Sequence, residues 1–569
     1  MPAQEASSVV QIGEWAVHPA LDSISRGTET QKLEPRAMRL LICLANSPGE
    51  VVSIDRLLNE VWAGVVVEPA SIYQAVSQLR KTLGDVDQKP AYIATVPRKG
   101  YRLVSSVQRA GAAQRAIPEK SIAVLPFDDM SERKDQEYFA DGMAEEIINL
   151  LVKISALKVI GRTSSFRFKG KTEDLRSIGT QLGVAHVLQG SVRKSGDRLR
   201  VTAQLIDTRD GTHLFARTYD RDLSDVLMLQ DEIAAKLVRA MQIEVSPSYI
   251  VERPVLRNMQ AYTLYLQGLH ACDRLDQQGL QQAASYYQRA LDLDASFAAA
   301  AVGLGEAYGN LGILGFLAPA VAFEQARGAA ELALKLDPKL AIAHALLATI
   351  HGGYDWDWPA SERDLSQALV LAPNNAGILL VAARQSLIMG RWDDALKRLS
   401  ASLEQDPLNP MCYLFLSSVQ LRRGRLAEAE AAIRRALDIS PTYAAGPYAL
   451  GLVLLSRNQP EAALAEMRKE PIESVRLIGS ALASFALGLK VDSDAALAQL
   501  LKSYAAYIPS GIGSIYAFRG ESDEAFKWLD RAYERKDPLL FRIKFTPELD
   551  KLHDDLRYKA FLRKMNLPE

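Results

Sequence analysis

The chain has 569 residues, a length that implies three or four folded units at about 150 residues each. Its 67 Lys and Arg balance 68 Asp and Glu, which excludes a globally basic, histone-like binder, so any grip on a polyanion must be local. With 48% hydrophobic and 24% charged residues it has the make-up of a folded globular protein rather than a disordered one.

Cys43, Cys272 and Cys412 fall in no paired spacing, which fits a reducing compartment and argues against a disulfide or metal framework. The opening MPAQEASSVVQIGEW has no basic region followed by an apolar run, so no signal peptide is expected. The longest nearly uncharged stretch, 310–323, is shorter than the ~18 apolar residues a bilayer span needs, and it contains Pro319. The expected setting is the cytoplasm, with no membrane contact.

In chain order, residues 33–47 (LEPRAMRLLICLANS) place apolar side chains at helical spacing, with Pro35 in the first turn. Ser53 reads as the N-cap of a second helix through Trp62, with Arg56, Asn59 and Glu60 on its wet side. A third helix is predicted from Ser71 to Leu83, ended by Gly84. Ile72, Ala75, Val76 and Leu79 form its inward stripe, leaving Tyr73, Gln74, Ser77, Gln78, Arg80 and Lys81 facing out. AYIATV and GYRLV read as two strands of a hairpin whose tip, PRKG, carries Arg98 and Lys99. Between Gln78 and Arg109 the basic residues are 80, 81, 89, 98, 99, 102 and 109, against acids at 85 and 87 only. The segment is therefore strongly cationic on a neutral molecule.

The pieces LLNEVW, SQLRKTLG and YIATVPRKGYRLV, in this order and with these gaps, resemble the OmpR/PhoB-type winged helix-turn-helix over residues 8–104. The N-terminal placement is similar to that of ToxR- and CadC-like regulators. The resemblance implies that the third helix enters the major groove and the wing reaches the backbone or minor groove. Gln74, Ser77 and Gln78 then become base readers, flanked by Ser71 and Tyr73. Arg80, Lys81, Thr95, Arg98 and Lys99 become phosphate or wing contacts. Ala70 and Ala75 stand where some members of the family carry polar or basic contacts, which implies a different site sequence and an affinity that depends on dimerisation. The phospho-receiver usual in this family is not found. IAVLPFDD (122–129) resembles its first strand, but no strand ending in a phosphorylatable Asp follows, and Asp141 comes only twelve residues after Asp129. The two carboxylates at 128 and 129 read as loop or helix-start groups.

The small-polar run at 105–118 reads as a linker. From 119 to 247 the pattern is strand, helix, strand, helix, strand, strand and a closing helix, and it resembles the TolB-N-terminal-like domain. GRTSSFRFKGKT (161–172) ends like a phosphate loop but has Ser165 where the first Gly belongs, so it reads as a strand and basic turn.

From 257 to the end lies an Ala/Leu-rich helical array. Pro373, Pro407 and Pro441 are 34 residues apart, and Pro338 lies 35 before the first. Small residues precede each Pro by twelve (Ala326, Ser361, Ala395, Ala429) and by five (Ala333, Ala368, Ser402, Ala436). Helices cross closely only where side chains are small, and Pro stops the second helix of a pair. The period resembles the tetratricopeptide repeat, with about eight helix pairs expected and a degenerate stretch at 444–505. Gly303–Gly305 and Gly511–Gly513 are partial dinucleotide fingerprints that coincide with helix-crossing positions, so they read as packing. His344 and His351 share a helical face without a third ligand, and no metal is expected. The turn 354–358 (YDWDW) reads either as a packed loop or as a contact for a partner.

The expected fold is therefore multidomain: a winged helix (α+β) at 1–105, a linker at 106–118, a small α/β domain at 119–247, and an all-α tetratricopeptide-repeat superhelix at 257–569 with a capping helix. The three-module layout is similar to that of HilA-type activators. It implies a non-enzymatic, cofactor-free transcription regulator, an activator by resemblance, that binds double-stranded promoter DNA. RNA polymerase, a further copy of the chain on DNA, and an unknown protein or small molecule in the repeat groove are the expected partners. The alternative is a repeat scaffold in which the winged helix is not primarily a DNA reader.

Overall fold

A computed structural model describes residues 10–18, 22–26, 29–45, 51–61, 70–85, 90–97, 99–105, 107–109, 117–154, 156–243 and 258–569. The chain divides into two compact units at residue 116.

The first unit opens with four antiparallel strands, β1 (Val10–Ile12), β2 (Trp15–His18), β3 (Ser23–Arg26) and β4 (Glu29–Lys32). Three helices follow: α1 (Pro35–Ala45), α2 (Ile54–Val61) and α3 (Ala70–Leu83), with the short strand β5 (Val51–Val52) between the first two. β6 (Ile93–Val96) and β7 (Gly100–Leu103) form the wing hairpin, and β5 joins it in the order β5-β7-β6. A last strand, β8 (Val107–Arg109), returns to pair with β1. The stretch read as a linker from 106 therefore begins inside the domain; a three-residue strand is too short to leave an alternation signal. The Ser53 hydroxyl accepts the Arg56 N–H at 3.2 Å, as the cap of α2. Trp15, Leu40, Leu44, Leu57, Ile72 and Leu79 are all but fully buried and make one core. The Trp15 indole donates to the Leu83 carbonyl at 3.1 Å, tying the N-terminal sheet to the end of α3.

The second unit begins with a mixed sheet. Its strands are β9 (Ser121–Val124), β10 (Asp128–Asp129), β11 (Lys158–Val159), β12 (His186–Ser195), β13 (Arg198–Asp207) and β14 (His213–Asp222). They run in the order β11-β9-β12-β13-β14, with β10 beside β12. Helices α4 (Glu137–Val152), α5 (Arg162–Ser165), α6 (Leu175–Leu182) and α7 (Val226–Ala240) complete the domain. Two local readings change. The run at 162–168 is helical rather than a strand. After the second helix three strands follow rather than the expected two: α6 ends at Leu182, where Gly183 takes φ +62°, and HVLQGSVRKS continues as a ten-residue strand. The Asp129 carboxylate accepts the Ser131 and Gln136 N–H groups, and buried Asp141 pairs with Lys169, so both acids are held in structural bonds.

Eight antiparallel helix pairs follow: α8 (Met259–Cys272) with α9 (Gln277–Leu293), α10 (Ala298–Ile313) with α11 (Pro319–Leu336), α12 (Ala341–Ile350) with α13 (Trp358–Leu371), α14 (Ala376–Ile388) with α15 (Trp392–Gln405), α16 (Pro410–Arg422) with α17 (Leu426–Ile439), α18 (Gly446–Ser456) with α19 (Pro460–Met467), α20 (Glu473–Ala486) with α21 (Lys490–Ser503), and α22 (Pro509–Arg519) with α23 (Ser522–Glu534). Pro338, Pro373, Pro407 and Pro441 each fall just beyond the second helix of a pair, and the eight small residues upstream of them are buried. A Cβ on Gly303 would lie 2.5 Å from the Tyr287 ring, and one on Gly513 would lie 3.3 Å from the Ala525 carbonyl; these glycines serve helix packing. His344 and His351 both lean on Asp364, at 3.3 and 3.0 Å. Among the described residues no group of His, Cys, Asp and Glu is arranged to hold a metal ion, and no helix is long and apolar enough to cross a membrane.

The aromatic turn takes the packed-loop form. Trp356 and Trp358 are buried, and the Trp358 indole donates to the Met565 carbonyl at 2.8 Å. Trp356 stacks on Tyr533 at 4.7 Å, with the Lys536 ammonium 3.8 Å above its ring. The third repeat thus holds the end of the chain, including α24 (Leu556–Lys564).

The middle domain and the repeats share a core through α4, α7, α8, α9 and α10. Gly142 of α4 lies so near α8 that a Cβ there would meet Leu266 at 2.5 Å. Further along the seam, buried Asp406, in the turn after α15, accepts the Ser164 N–H at 2.8 Å, and the Ser164 hydroxyl donates to the same carboxylate. The Arg162 guanidinium bridges Glu145 of α4 and Asp273 at the end of α8.

Candidate nucleic-acid interface

α3 is amphipathic because its apolar residues recur every three or four positions, and Ile72, Val76 and Leu79 reach the core at 2% exposure or less. The same period puts Gln74, Ser77, Gln78 and Lys81 on one outer stripe, at i, i+3, i+4 and i+7, and all four are exposed. Ser71 is half-buried at the start of the helix. Tyr73, 54% exposed, stands edge-on to Tyr101 of β7 with the rings 6.4 Å apart, so the outer face of α3 continues into the wing. Ala75 packs against the core, which explains why it offers no polar contact; the side chain of Ala70 lies outside the described residues.

Arg80 departs from the sequence expectation. Expected to face outward, it is half-buried and turned across onto β6. Its Nε and Nη2 donate to the Ile93 carbonyl at 3.0 and 2.7 Å, and Nη2 donates to the Thr95 hydroxyl at 2.9 Å. The reason is satisfaction of a strand-end carbonyl that no ladder bond reaches; the fork of the guanidinium covers two acceptors at once. Arg80 is thus a brace that fixes α3 against the wing, and exposed Thr95 is held from behind by it.

Asp85 is a second brace that periodicity did not reveal. One residue past the helix stop, its carboxylate accepts the Tyr92 and Ile93 N–H groups at 3.2 and 2.8 Å. This acid is bonded to backbone donors rather than to a neighbouring cation. Lys99 sits in the wing turn, exposed, its N–H donating to Val96 at 3.0 Å. Arg98 lies outside the described residues. Lys81, Lys99 and Arg102 are exposed, and among the described residues none of them meets a carboxylate.

Gly100 is forced by geometry. It holds φ +134°, and a Cβ there would sit 2.0 Å from the Val52 carbonyl oxygen, where β7 crosses β5.

We expect Arg80→Ala to lower the stability of the N-terminal unit by about 1–3 kcal/mol, through the loss of charge-assisted bonds to a strand carbonyl. Arg80→Lys should recover little of it, because one ammonium cannot span Ile93 and Thr95 together. Urea unfolding followed by the Trp15 fluorescence tests both; an Arg80→Lys chain as stable as the parent would rule out the brace.

Residues 27–103 match the family model for the C-terminal domain of transcriptional regulatory proteins. Residues 118–236 match the HilA/YgeH-like transcriptional regulator second domain, and 269–314 and 386–444 match the tetratricopeptide repeat. The chain therefore carries, in this order, an OmpR/PhoB-type winged helix, a HilA-like second domain and tetratricopeptide repeats. It is 42% identical over 187 residues to a putative adenylate cyclase 3 of Rhizobium meliloti, covering 32% of each chain. It is 45% identical over 100 residues to the transcriptional activator CadC of Escherichia coli, covering 17% of this chain and 20% of that one. The solved DNA-binding domain of CadC is 42% identical, with 18% of this chain and 95% of that one covered and a TM-score of 0.17. Similarity to the transcriptional regulator HilA of Salmonella typhimurium is broader, 23% identity over 393 residues and 68% of each chain. The chain thus spans about a third of the cyclase and a fifth of CadC.

Proposed function

We propose that the chain is a transcription activator that binds double-stranded promoter DNA through α3 and the β6–β7 wing. The observation that carries this reading is the outer stripe of α3, with Gln74, Ser77 and Gln78 exposed and flanked by Lys81, Lys99 and Arg102, which meet no carboxylate among the described residues. A stripe of amides and hydroxyls on a convex helix can lie in the major groove and read base edges, while Lys81, Lys99 and Arg98 fix register on phosphates. Ser71 and Tyr73 extend that face, and Thr95 and Arg80 set the angle of the wing. The matches to CadC and HilA support the reading. The matched family models describe a regulator domain, a HilA-like domain and repeats, which favours a cytoplasmic regulator without catalysis of its own. RNA polymerase and a further copy of the chain on adjacent half-sites are the partners this role requires. The unit from 117 onward is the sensing part in this reading.

Two substitution sets test it. Gln74→Ala with Gln78→Ala should flatten the difference between specific and random duplex, with each good base contact worth about 1–3 kcal/mol. Arg98→Ala with Lys99→Ala should weaken all duplexes alike and lower the slope of log affinity against log salt by about 2. Salt-insensitive retention of the parent chain on promoter DNA would refute the DNA reading and favour the scaffold. Removal of the whole second unit, residues 117–569, should leave DNA binding in place and change the transcriptional response.

A further inference from the structure

Residues 538–549 run beside the first helices of the last repeats, and two clefts adjoin them. The deeper, of about 60 Å³, lies between Tyr448 of α18, Ile478 of α20 and Ser514 of α22 on one side and Arg542, Thr546 and Glu548 on the other. The wider, of about 200 Å³, has apolar walls that include Leu414, Phe415, Leu452, Phe541 and Phe545. Tyr448, Leu539 and Arg542 line both, so the clefts adjoin across these three side chains.

Polar groups without partners converge on the deeper cleft. Glu548 is 2% exposed; the Tyr448 hydroxyl donates to its Oε1, while Oε2 has no hydrogen-bond partner among the described residues. The Thr546 hydroxyl, 7% exposed, has none either. The Arg542 guanidinium is half-buried, 5.8 Å from the centre of the Tyr448 ring. Among the described residues it makes no hydrogen bond and has no carboxylate within 4 Å. Burial pushes the Glu548 carboxyl up, and the charge of Arg542 draws it partly back without touching it. A carboxylate oxygen left in this way costs stability, and an apolar residue at 548 would avoid the cost.

We propose that the two clefts together bind a free α-amino acid with a large apolar side chain. Its ammonium sits against Glu548 Oε2 and the Thr546 hydroxyl, its carboxylate takes the fork of Arg542, and its side chain lies in the wider cleft. An acid and a guanidinium that face one space without neutralising each other suit a ligand carrying both opposite charges on one carbon. Apolar walls with a few convergent polar groups are the ordinary make-up of a small-molecule site. A metal ion would find one carboxylate here and too few oxygen ligands. The occupant would touch both the repeats and the chain-end segment and so hold the two together. This supplies a ligand for the sensing part proposed above and rests on that reading for the regulatory consequence, but binding itself can be tested alone.

The experiment uses the full chain, with L-leucine and L-phenylalanine as probes. 4-Methylpentanoate, which lacks the amine, and 3-methylbutylamine, which lacks the carboxylate, are the controls. Calorimetry should detect both amino acids, with each control at least about tenfold weaker, as expected for losing one charge-assisted contact. Bound leucine should also raise the melting temperature and slow proteolysis beyond residue 535. Glu548→Gln and Arg542→Gln should each weaken leucine about tenfold or more. Both should fold, because Gln at 548 keeps the size and an acceptor for Tyr448, and Arg542 has no hydrogen bond to lose. Melting of the free variants checks this. Absence of amino-acid binding, controls as tight as leucine, or parental affinity in either variant would overturn the site. Promoter affinity with and without leucine separates the two claims: binding that leaves DNA affinity unmoved removes the sensing role while the site stands.

Discussion

A chain carrying Gly100→Ala should lose its hold on promoter DNA while its repeat array melts as before. A methyl at this position would be placed 2.0 Å from the Val52 carbonyl oxygen and 3.0 Å from the Ser53 Cα, on a backbone at φ +134°. Backbone cannot step aside as a flexible side chain can, so β7 must part from β5 or leave its conformation. Strain of this kind costs about 1–3 kcal/mol before the overlap is added, against a stability of about 5–15 kcal/mol for a whole domain. The wing carries Lys99 and the strand that Arg80 braces, so the loss should appear as a fall in affinity of about tenfold or more in fluorescence anisotropy. Gly84→Ala is the control. Gly84 also has a positive φ, +75°, but its Cβ would meet nothing within 4 Å, and its cost should stay near 1 kcal/mol. Equal DNA affinity in the Gly100→Ala chain would mean that the wing is no part of the grip.

Trp358→Ala should be the most damaging single change in the repeats, with a cost of about 3–5 kcal/mol for a large buried aromatic. Trp358 is 4% exposed, and its indole N–H is bonded to Met565, 207 residues away along the chain. Its removal leaves a cavity and an orphaned carbonyl where the third repeat holds the chain end. Chemical unfolding should show a lower midpoint, and limited proteolysis should cut first beyond residue 535. Val370→Ala, on the same helix at 75% exposure, should do neither. A Trp358→Ala chain with parental protease resistance would show that the C-terminal segment is held by other contacts.

The helix boundaries and the outer stripe of α3 were legible because burial of one face forces a repeat of three or four residues in sequence. Pro at a spacing of 34 and the buried alanines before it were legible for a related reason: each repeat solves the same crossing problem with the same small residues. β8 and β12 were not. A three-residue strand carries no period, and the HVLQGSVRKS segment sits behind a helical pattern that only Gly183 interrupts. Arg80 and Thr95 were named as candidates, yet the bonds that join them, like those of Asp85, depend on an approach between α3 and β6 that no local pattern encodes.

By itself the sequence determined the three modules and the polar face of α3, since periodicity, caps and turn residues are local properties of a chain. Only the tertiary structure decided which polar groups are free. Arg80 turned inward to a strand carbonyl, and the aromatic turn closed on Met565. The physical reason is the same in each case: whether a donor or ring is satisfied depends on what another element packs against it, 13 residues along the chain for Arg80 and 207 for Trp358.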